Sequence, residues 1–477
     1  MNDKNHLLIS RLTIIAVLAL LCTFQLAAQS EYRISLSNSQ TGATRNLPFW
    51  MWANHDGLAD RAASWLNLTT FSADAGWATG SSRPVIFRTG ATVAAGVNNN
   101  SYTQVNRLFA TISCKNWQLE AGMFYDSLRF DGLSTSNGNI ARSRNARPWP
   151  KVRFSTAGFR PLPFTRNRVS FSATYEEGLL NDSRYVRHTR LHNKSFYLQS
   201  RPGNGWNLQA RLEHFVMWGG TSSDENIGKL PQNLKDYLRY ITTARGNDRF
   251  PQTDRLNVAG NQFGTWQIFF SKETGKVITE INISHPFEDY SGFVWRNWPD
   301  NLAGISIRSK NPEARVTRIL YEFTHTTHQG HSGGLYRWNP ETQTMERQEF
   351  DNYFNHGIYR SGTTYHGMAW VSPLFVPGVN ENGTSRGFIS NRFRAHHIGA
   401  CGNFAKNVAW KSMLTLASHR GTHAQPFVKD EKQYSALVAV WYNVQKVPLV
   451  VDFSVAADHG SLTGNTSAVR IAVTKNW

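Results

Sequence analysis

Long stretches of the chain alternate between apolar and polar residues with a period of two. The clearest are residues 168–176, 206–213 and 449–458, in which apolar residues occupy every second position and mostly polar residues lie between them. Successive side chains of a β-strand point to opposite faces of a sheet, so this pattern predicts strands with one apolar and one polar face. Clusters of Asn, Ser, Gly and Pro separate these segments and predict turns.

Such strands build either a soluble β-sandwich, with its apolar faces inward, or a membrane barrel, with its apolar face toward lipid. The C-terminal segment favours the barrel. Val469, Ile471, Val473 and Trp477 share one face and the chain ends on an aromatic residue, which resembles the terminal strand of bacterial outer-membrane barrels. Spanning strands need roughly 9–11 residues, so about 25 residues per strand and connection predict roughly 18 strands. We therefore predict an all-β fold, a large antiparallel transmembrane β-barrel.

One segment departs from the period of two. Leu234, Tyr237, Leu238 and Ile241 lie at i, i+3, i+4 and i+7 behind Pro231, and this spacing predicts a short amphipathic helix. In a barrel such a helix must lie in a loop or fold into the lumen. We expect it to pair with charged residues on the polar faces of the strands and to help close the lumen. Those charged residues are Arg168, Glu176, Arg211, Glu213, Asp452 and Arg470.

The N-terminus has the features of a secretory signal. Lys4 and Arg11 form a basic start, and residues 12–21 form an apolar run that is too short to span a bilayer. Small residues follow, and cleavage after Ala28 or after Ser30 fits them. The sequence therefore predicts export from the cytoplasm.

The signal divides the chain into three predicted parts. They are a signal peptide at residues 1–28, an N-terminal lead-in at residues 29–46 and an outer-membrane β-barrel at residues 47–477. Two cysteines, Cys114 and Cys401, follow the signal. An exported protein can form a disulfide, and one bridge or two separate thiols both fit the sequence.

Composition excludes two other classes of protein. With 40% hydrophobic and 18% charged residues, the chain is not disordered. Beyond the short apolar run at residues 12–21 the chain has no long apolar run. Each membrane helix needs roughly 20 apolar residues, so a helical membrane bundle is excluded. The 16 Trp, 16 Tyr and 28 Phe residues are typical of a barrel with aromatic girdles.

The chain is basic, with 51 Lys and Arg residues against 33 Asp and Glu residues. These basic residues are dispersed rather than clustered, which is not the pattern of a nucleic-acid-binding surface. Dispersed positive charge attracts polyanions. The expected partners are therefore acidic polysaccharide and outer-membrane lipid, including anionic glycolipid, with no nucleic acid. We expect a monomer that needs no cofactor.

Two groups of residues could carry chemistry. Glycoside hydrolysis needs two carboxylates at a fixed spacing, and the alternative is that they pair with Arg296 and Arg308 or order a loop. The carboxylates are Glu280, Glu288, Asp289 and Asp300. His325, His328 and His331 match no zinc-site spacing, and a surface loop is the preferred interpretation. We predict no catalysis and no metal.

Residues 351–367 combine aromatic side chains with Asn, Asp and Arg. Aromatic rings stack on the apolar faces of sugars, while amides, carboxylates and guanidinium groups bind hydroxyls and carboxylates. The alternative is a girdle strand with a polar inward face. From the residues alone, the two interpretations are about equal.

Several segments together resemble the Wzi family of capsule assembly proteins. These include residues 48–54, 146–150, 236–238, 285–300 and 353–367. The resemblance implies an outer-membrane β-barrel that acts as a lectin and anchors capsular or exopolysaccharide at the cell surface, without catalysis. The candidate glycan-binding residues are Phe287, Glu288, Asp289, Asn297, Asp300, Tyr353, His356, Tyr359, Arg360 and Tyr365.

Two other functions fit the same residues. The first is a porin-type diffusion channel, which shares the physics of the barrel. The second is a hydrolase in the lumen that modifies polysaccharide or lipid, for which Glu288 would be a catalytic candidate. A channel conducts steadily, a lectin binds polysaccharide, and a hydrolase shortens it.

Overall fold

The computed structural model describes residues 30–79, 84–288, 290–330, 336–339, 343–347, 351–381 and 383–477. Eighteen strands within these residues form one closed antiparallel barrel. They are β1 (Ser30–Ala43), β2 (Trp65–Thr79), β3 (Val85–Val97), β4 (Ser101–Cys114), β5 (Trp117–Met123), β6 (Lys151–Thr156), β7 (Val169–Leu180), β8 (Thr189–Gly203), β9 (Trp206–Trp218), β10 (Asn261–Glu273), β11 (Val277–Phe287), β12 (Asn301–Ser309), β13 (Arg318–His325), β14 (Phe393–Ala405), β15 (Val408–Gly421), β16 (Pro426–Asn443), β17 (Leu449–Gly460) and β18 (Thr466–Asn476). The predicted fold class is confirmed.

The first and last strands close the barrel. β1 pairs with β18 from Ser35 opposite Asn476 to Ala43 opposite Ala468, and it also pairs with β2. Most of the predicted lead-in, residues 29–46, is therefore barrel wall, and the barrel begins at residue 30 rather than at residue 47. The alternating pattern missed β1 because its second half, residues 38–41, is polar on both faces.

The remaining elements are short. The helices are α1 (Phe49–Trp52), α2 (Leu234–Ile241), α3 (Gln252–Leu256) and α4 (Tyr290–Phe293), with 3₁₀ turns at Phe130–Gly132 and Pro163–Thr165. Short strands lie at Arg160–Pro161, Val186–Arg187, Thr221–Ser222, Tyr336–Asn339, Thr344–Arg347, Thr364–Tyr365, Met368–Ala369, Val376–Val379 and Ser385–Ser390. No helix in the described part of the chain has the length and hydrophobicity of a transmembrane span.

The two rims of the barrel differ. Ser30 and Trp477 lie at one rim, which we call the terminal rim. The connections at the opposite rim, the long-loop rim, are longer and include residues 44–64, 124–150, 219–260 and 326–392. Outer-membrane barrels have short periplasmic turns and longer extracellular loops. By this rule we expect the long-loop rim to face the outside of the cell.

The strands place apolar side chains outward and polar side chains inward. Phe196 on β8 and Val438 on β16 are 49% and 54% exposed on the outer face. Glu176 on β7 and Glu322 on β13 are fully buried on the lumenal face. This is the arrangement of a barrel in lipid.

The connection between β5 and β6, residues 124–150, crosses the lumen and is called the plug. Glu322 on β13 accepts hydrogen bonds from the Ser134 hydroxyl at 2.6 Å and from Thr135. The Ile140 N–H donates to the hydroxyl of Ser284 on β11 at 3.1 Å. Buried polar groups need such partners, and the plug supplies them to several wall strands.

An ion-pair network fastens the plug to two further wall strands, β7 and β9. Arg142 Nε lies 2.5 Å from Asp126 Oδ2 within the plug. Its two terminal nitrogens reach Glu176 on β7 at 3.3 Å and Glu213 on β9 at 3.4 Å. Arg153 on β6 also binds Glu176, at 2.7 Å. The predicted pairing of lumenal charges is therefore found for Glu176 and Glu213, with the plug as their partner, and for Asp452 with Arg470. Arg211 has no ion pair among the described residues, and Arg168 is exposed just before β7.

The predicted helix exists as α2, but it lies outside the barrel. Asn233 and Asp236 form a capping box at its start, which stabilises the first turn. The Tyr237 hydroxyl binds Glu177 on the outer face of β7. Tyr240 packs on Trp218 of β9, with ring centroids 5.6 Å apart. The expectation that this helix pairs with lumenal charges is wrong, because its tyrosines bury against the outer wall.

Candidate functional site

A cavity of about 430 Å³ lies at the long-loop rim and is called the rim cavity. It is enclosed by α1, by the segment 373–377 and by the lumenal faces of β15, β16 and β17. Its lining includes Asn46, Phe49, Trp52, Arg61, Leu374, Thr415, His419, Gln433, Ser435 and Asp458. Ligand sites typically have volumes of about 300–1,000 Å³, so the rim cavity is large enough for a small ligand.

Local contacts hold α1 against the wall. The Phe49 N–H donates a 2.9 Å hydrogen bond to Asp458 Oδ2 on β17. The Trp50 indole donates a 3.1 Å hydrogen bond to the hydroxyl of Thr415 on β15. With Trp50 buried, the rings of Phe49 and Trp52 line the cavity edge to face, 5.2 Å apart.

Polar groups complete the rim cavity. Gln433 is 7% exposed, and its Oε1 accepts a 3.2 Å hydrogen bond from the Thr463 N–H. Its Nε2 has no hydrogen-bond partner within the described residues. Arg61 makes no ion pair with any described acidic residue, and burial lowers the pKa of Arg61. The cavity thus combines two aromatic rings, an unused amide donor and a guanidinium group. These groups suit a sugar, because the faces of a sugar ring are apolar and its hydroxyl groups are polar.

Three of the residues predicted from the sequence form one buried network. Asp300 Oδ2 accepts hydrogen bonds from the Tyr353 hydroxyl at 3.0 Å and from the Gln329 N–H at 2.6 Å. Asn297 donates to the Tyr353 hydroxyl at 2.6 Å, and His325 Nδ1 lies 2.8 Å from Asp300 Oδ1. Asn297, Asp300 and Tyr353 have no exposed surface, so the network joins the connections of the long-loop rim to one another.

Three further predicted residues are also packed. Phe287 lies on the outer wall with its ring 5.4 Å from that of Phe293. The hydroxyl of Tyr359 binds the Gly219 carbonyl oxygen at 3.3 Å, and that of Tyr365 binds Asn181 at 2.5 Å. Each of the three predicted side chains is at most 5% exposed.

The remaining predicted residues lie closer to the surface. Glu288 accepts a hydrogen bond from the Phe354 N–H. Arg360 is exposed and lies 3.0 Å from Asp224. His356 Nδ1 accepts from the N–H groups of Ile358 and Tyr359 at 3.2 and 3.3 Å, and burial lowers the pKa of His356 to about 4. Asp289 lies outside the described residues. The glycan-binding role of the ten residues stays a prediction.

The structure separates two of the carboxylates considered for hydrolysis, Glu280 and Asp300. Glu280 binds Arg318 in the lumen, whereas Asp300 lies at the long-loop rim. Glu280 is opposite Ser306 of β12, so Asp300 is six residues away, about 20 Å along the strand. Glycosidases hold their two carboxyl groups about 5–10 Å apart, so these two do not form such a pair.

The described histidines and cysteines have separate surroundings. His325 is buried on Asp300 instead of lying in a surface loop, because it ends β13. His331 lies outside the described residues. No group of three metal-ligating side chains occurs among the residues that the structure describes. Cys114 and Cys401 are free thiols on β4 and β14.

Sequence reasoning missed the rim cavity as a site. Phe49 and Trp52 lie in segment 48–54, one of the segments that resemble the Wzi family. That resemblance was the signal in the sequence that could have pointed to the cavity. Arg61, Gln433 and Asp458 carry no local signal, because they come from separate strands and connections that meet only in the closed barrel.

Neither a protein-family model nor a curated protein sequence matches the chain. The fold is that of outer-membrane β-barrel proteins. The chain is similar in structure to Wzi, an outer-membrane protein involved in group 1 capsule assembly in Escherichia coli and described as a carbohydrate-binding β-barrel. That match has a TM-score of 0.56 and 14% identity, and it covers 96% of this chain and 87% of Wzi. A second match is OpdO of Pseudomonas aeruginosa, with a TM-score of 0.50, 11% identity and coverage of 95% and 98%. At these identities the likeness shows the fold alone.

Proposed function

We propose that the protein is a lectin-like barrel that binds capsular or exopolysaccharide and anchors it at the cell surface. The observation that carries this proposal is the rim cavity, which places Phe49, Trp52, Arg61 and Gln433 together at the extracellular rim. The structural likeness to Wzi, a carbohydrate-binding barrel, supports the same function. The proposal includes no catalytic step.

A diffusion channel is the second candidate, because polar and charged residues line the lumen. The plug argues against free diffusion. It carries hydrogen bonds and ion pairs to β7, β9, β11 and β13, and a solute would have to pass beside it. Steady conductance of the unaltered protein would favour the channel.

The test combines a deletion strain with purified protein. Removing the gene should release polysaccharide into the medium, and the protein in detergent should bind that polysaccharide. Trp52→Ala and Gln433→Ala should each weaken binding about tenfold, because each removes a group that lines the rim cavity. Trp117→Ala, which removes an exposed tryptophan at the terminal rim, is the matched control.

Two results would contradict the lectin function. One is absence of binding to the purified polysaccharide together with unchanged retention in the deletion strain. The other is binding that persists in both rim-cavity variants, which would move the site elsewhere on the barrel. Folding of each variant is checked by its shift on an unboiled gel.

A further inference from the structure

A second cavity, of about 530 Å³, lies inside the barrel and is called the lumenal cavity. Plug residues line one side, and Gln118, Tyr197 and Arg211 line the wall. Asn139 of the plug binds Glu213 of β9 at 2.6 Å, and Arg211 lies two residues closer to the terminal rim on the same strand. The lumenal cavity is therefore on the opposite side of the plug from the extracellular rim.

The arginines at this cavity are not all neutralised. Arg142, Arg144 and Arg153 each bind a carboxylate. Arg129 and Arg211 also line the cavity, and neither has an acidic group within ion-pair distance among the described residues. The carboxylates in the same lining, Glu120, Asp126 and Glu213, pair with Arg153 and Arg142. Two guanidinium groups thus bring positive charge without an ion-pair partner into the cavity.

One aromatic ring contacts both of these arginines. The guanidinium carbons of Arg129 and Arg211 lie 5.2 and 5.8 Å from the centre of the same ring, that of Phe269. Arg211 also lies 5.0 Å from the ring of Tyr197. Contact with ring faces fixes the guanidinium planes. Arg211 donates from Nε and Nη2 to Gln209 Oε1, which leaves its Nη1 for a ligand. Burial and the charge of Arg211 lower the pKa of Arg129 to about 10, which agrees with mutual repulsion that an anion would relieve.

We propose that the lumenal cavity binds an acidic sugar, whose carboxylate is held by Arg129 and Arg211. Guanidinium groups bind carboxylates through paired hydrogen bonds. Gln118 and Thr174 add polar groups that suit sugar hydroxyls, and Tyr197 adds an aromatic ring. A phosphate shares the negative charge, but it would leave the ring and the amide without a role. The site is independent of the rim cavity, because the plug lies between them.

The test is calorimetric titration of the full chain in neutral detergent, with Trp52→Ala present to disable the rim cavity. The probes are galacturonate, galactose and inorganic phosphate. Galacturonate should bind, and Arg129→Gln and Arg211→Gln should each weaken its binding at least tenfold. Arg308→Gln is the control, because Arg308 is on the lumenal face of β12 outside the cavity and should leave binding unchanged.

Four outcomes would overturn the proposal. They are no binding of galacturonate, equal binding of galactose, binding of phosphate without galacturonate, and loss of binding in Arg308→Gln as large as in the cavity variants. Arg211→Lys provides a second variant that keeps the charge and loses the fork of donors. It should bind galacturonate more tightly than Arg211→Gln does, and equal binding by the two would contradict a role for charge.

Discussion

Thr135 of the plug donates two hydrogen bonds of 2.8 Å to one carboxylate oxygen of Glu322 on the barrel wall, one from its N–H and one from its hydroxyl. Both residues are fully buried. Hydrogen bonds to a buried charged group contribute about 1.5–3 kcal/mol each, so this contact fixes the plug in the lumen.

We first predict that the plug, and not α2, limits conductance. Replacing residues 127–141 with a short Gly-Ser linker should raise single-channel conductance in planar bilayers several-fold over wild type. Removing residues 234–241 should leave it unchanged, because α2 lies on the outer wall. Equal conductance of wild type and the plug deletion would show that the plug does not obstruct the lumen.

A second prediction concerns the ion pairs of the plug. Arg142→Gln removes the guanidinium that Asp126, Glu176 and Glu213 share. Leaving buried carboxylates without their partner should lower the free energy of unfolding by about 3 kcal/mol, measured by urea titration in detergent. Arg33→Gln, at a side chain 82% exposed, should change it by less than about 0.5 kcal/mol. If Arg142→Gln changed the free energy of unfolding as little as Arg33→Gln does, Arg153 alone would neutralise the carboxylates of the cluster.

A third prediction separates packing from glycan contact at Tyr353. Tyr353→Phe removes the hydroxyl between Asn297 and Asp300, which should cost about 1–2 kcal/mol and speed hydrogen exchange in residues 290–300. Polysaccharide affinity should stay within twofold, because Tyr353 is buried. Tyr434→Phe, on the outer wall, is the control for both measurements. A tenfold loss of affinity with unchanged exchange would instead assign Tyr353 to the glycan site.

A fourth prediction is that acid loosens the connection around His356. Its Nδ1 accepts two N–H groups, which a protonated ring cannot do. Because burial lowers the pKa of His356 to about 4, its contribution to stability is complete above about pH 6.5 and is lost as the pH falls toward 4. Hydrogen exchange of residues 353–362, corrected for intrinsic rates, should therefore accelerate across that range.

His356→Asn tests the cause of this pH dependence. The asparagine oxygen can accept the same N–H groups without titrating, so the acceleration between pH 6.5 and 4 should disappear. His459→Asn, at an exposed histidine on β17, should keep it. Persistence of the acceleration in His356→Asn would assign the effect to another group.

The period of two predicted the barrel wall because the wall obeys a single rule, apolar outward and polar inward. It failed at β1, where Asn38 and Gln40 occupy outward positions. Gln40 donates to Asn38 there, and Asn38 donates to Asn67. The plug was not predicted, since a polar connection that enters a lumen has the same composition as a polar loop in water. The spacing of Leu234 and Leu238 predicted α2, but amphipathicity does not say on which side of a wall a helix lies.

The candidate site was less predictable than the fold. Residues near each other in sequence, such as Asn297 and Asp300, were correctly grouped, but their burial depends on Tyr353, more than fifty residues away. The rim cavity joins Trp52 to Gln433, and only closure of the barrel brings those two together.

The position of α2 also decides how the protein matches its membrane. The upper outer wall carries Glu177 and Lys194, whose charges α2 covers through Tyr237 and the carbonyl of Ile241. Where those charges would otherwise face outward, the helix presents Leu234, whose side chain is 73% exposed. On this side the apolar surface thus includes two side chains of a connection between strands, Leu234 and the half-exposed Leu238, beside those of the wall. Hydrophobic thickness is therefore set here by an extracellular connection and not by strand length alone.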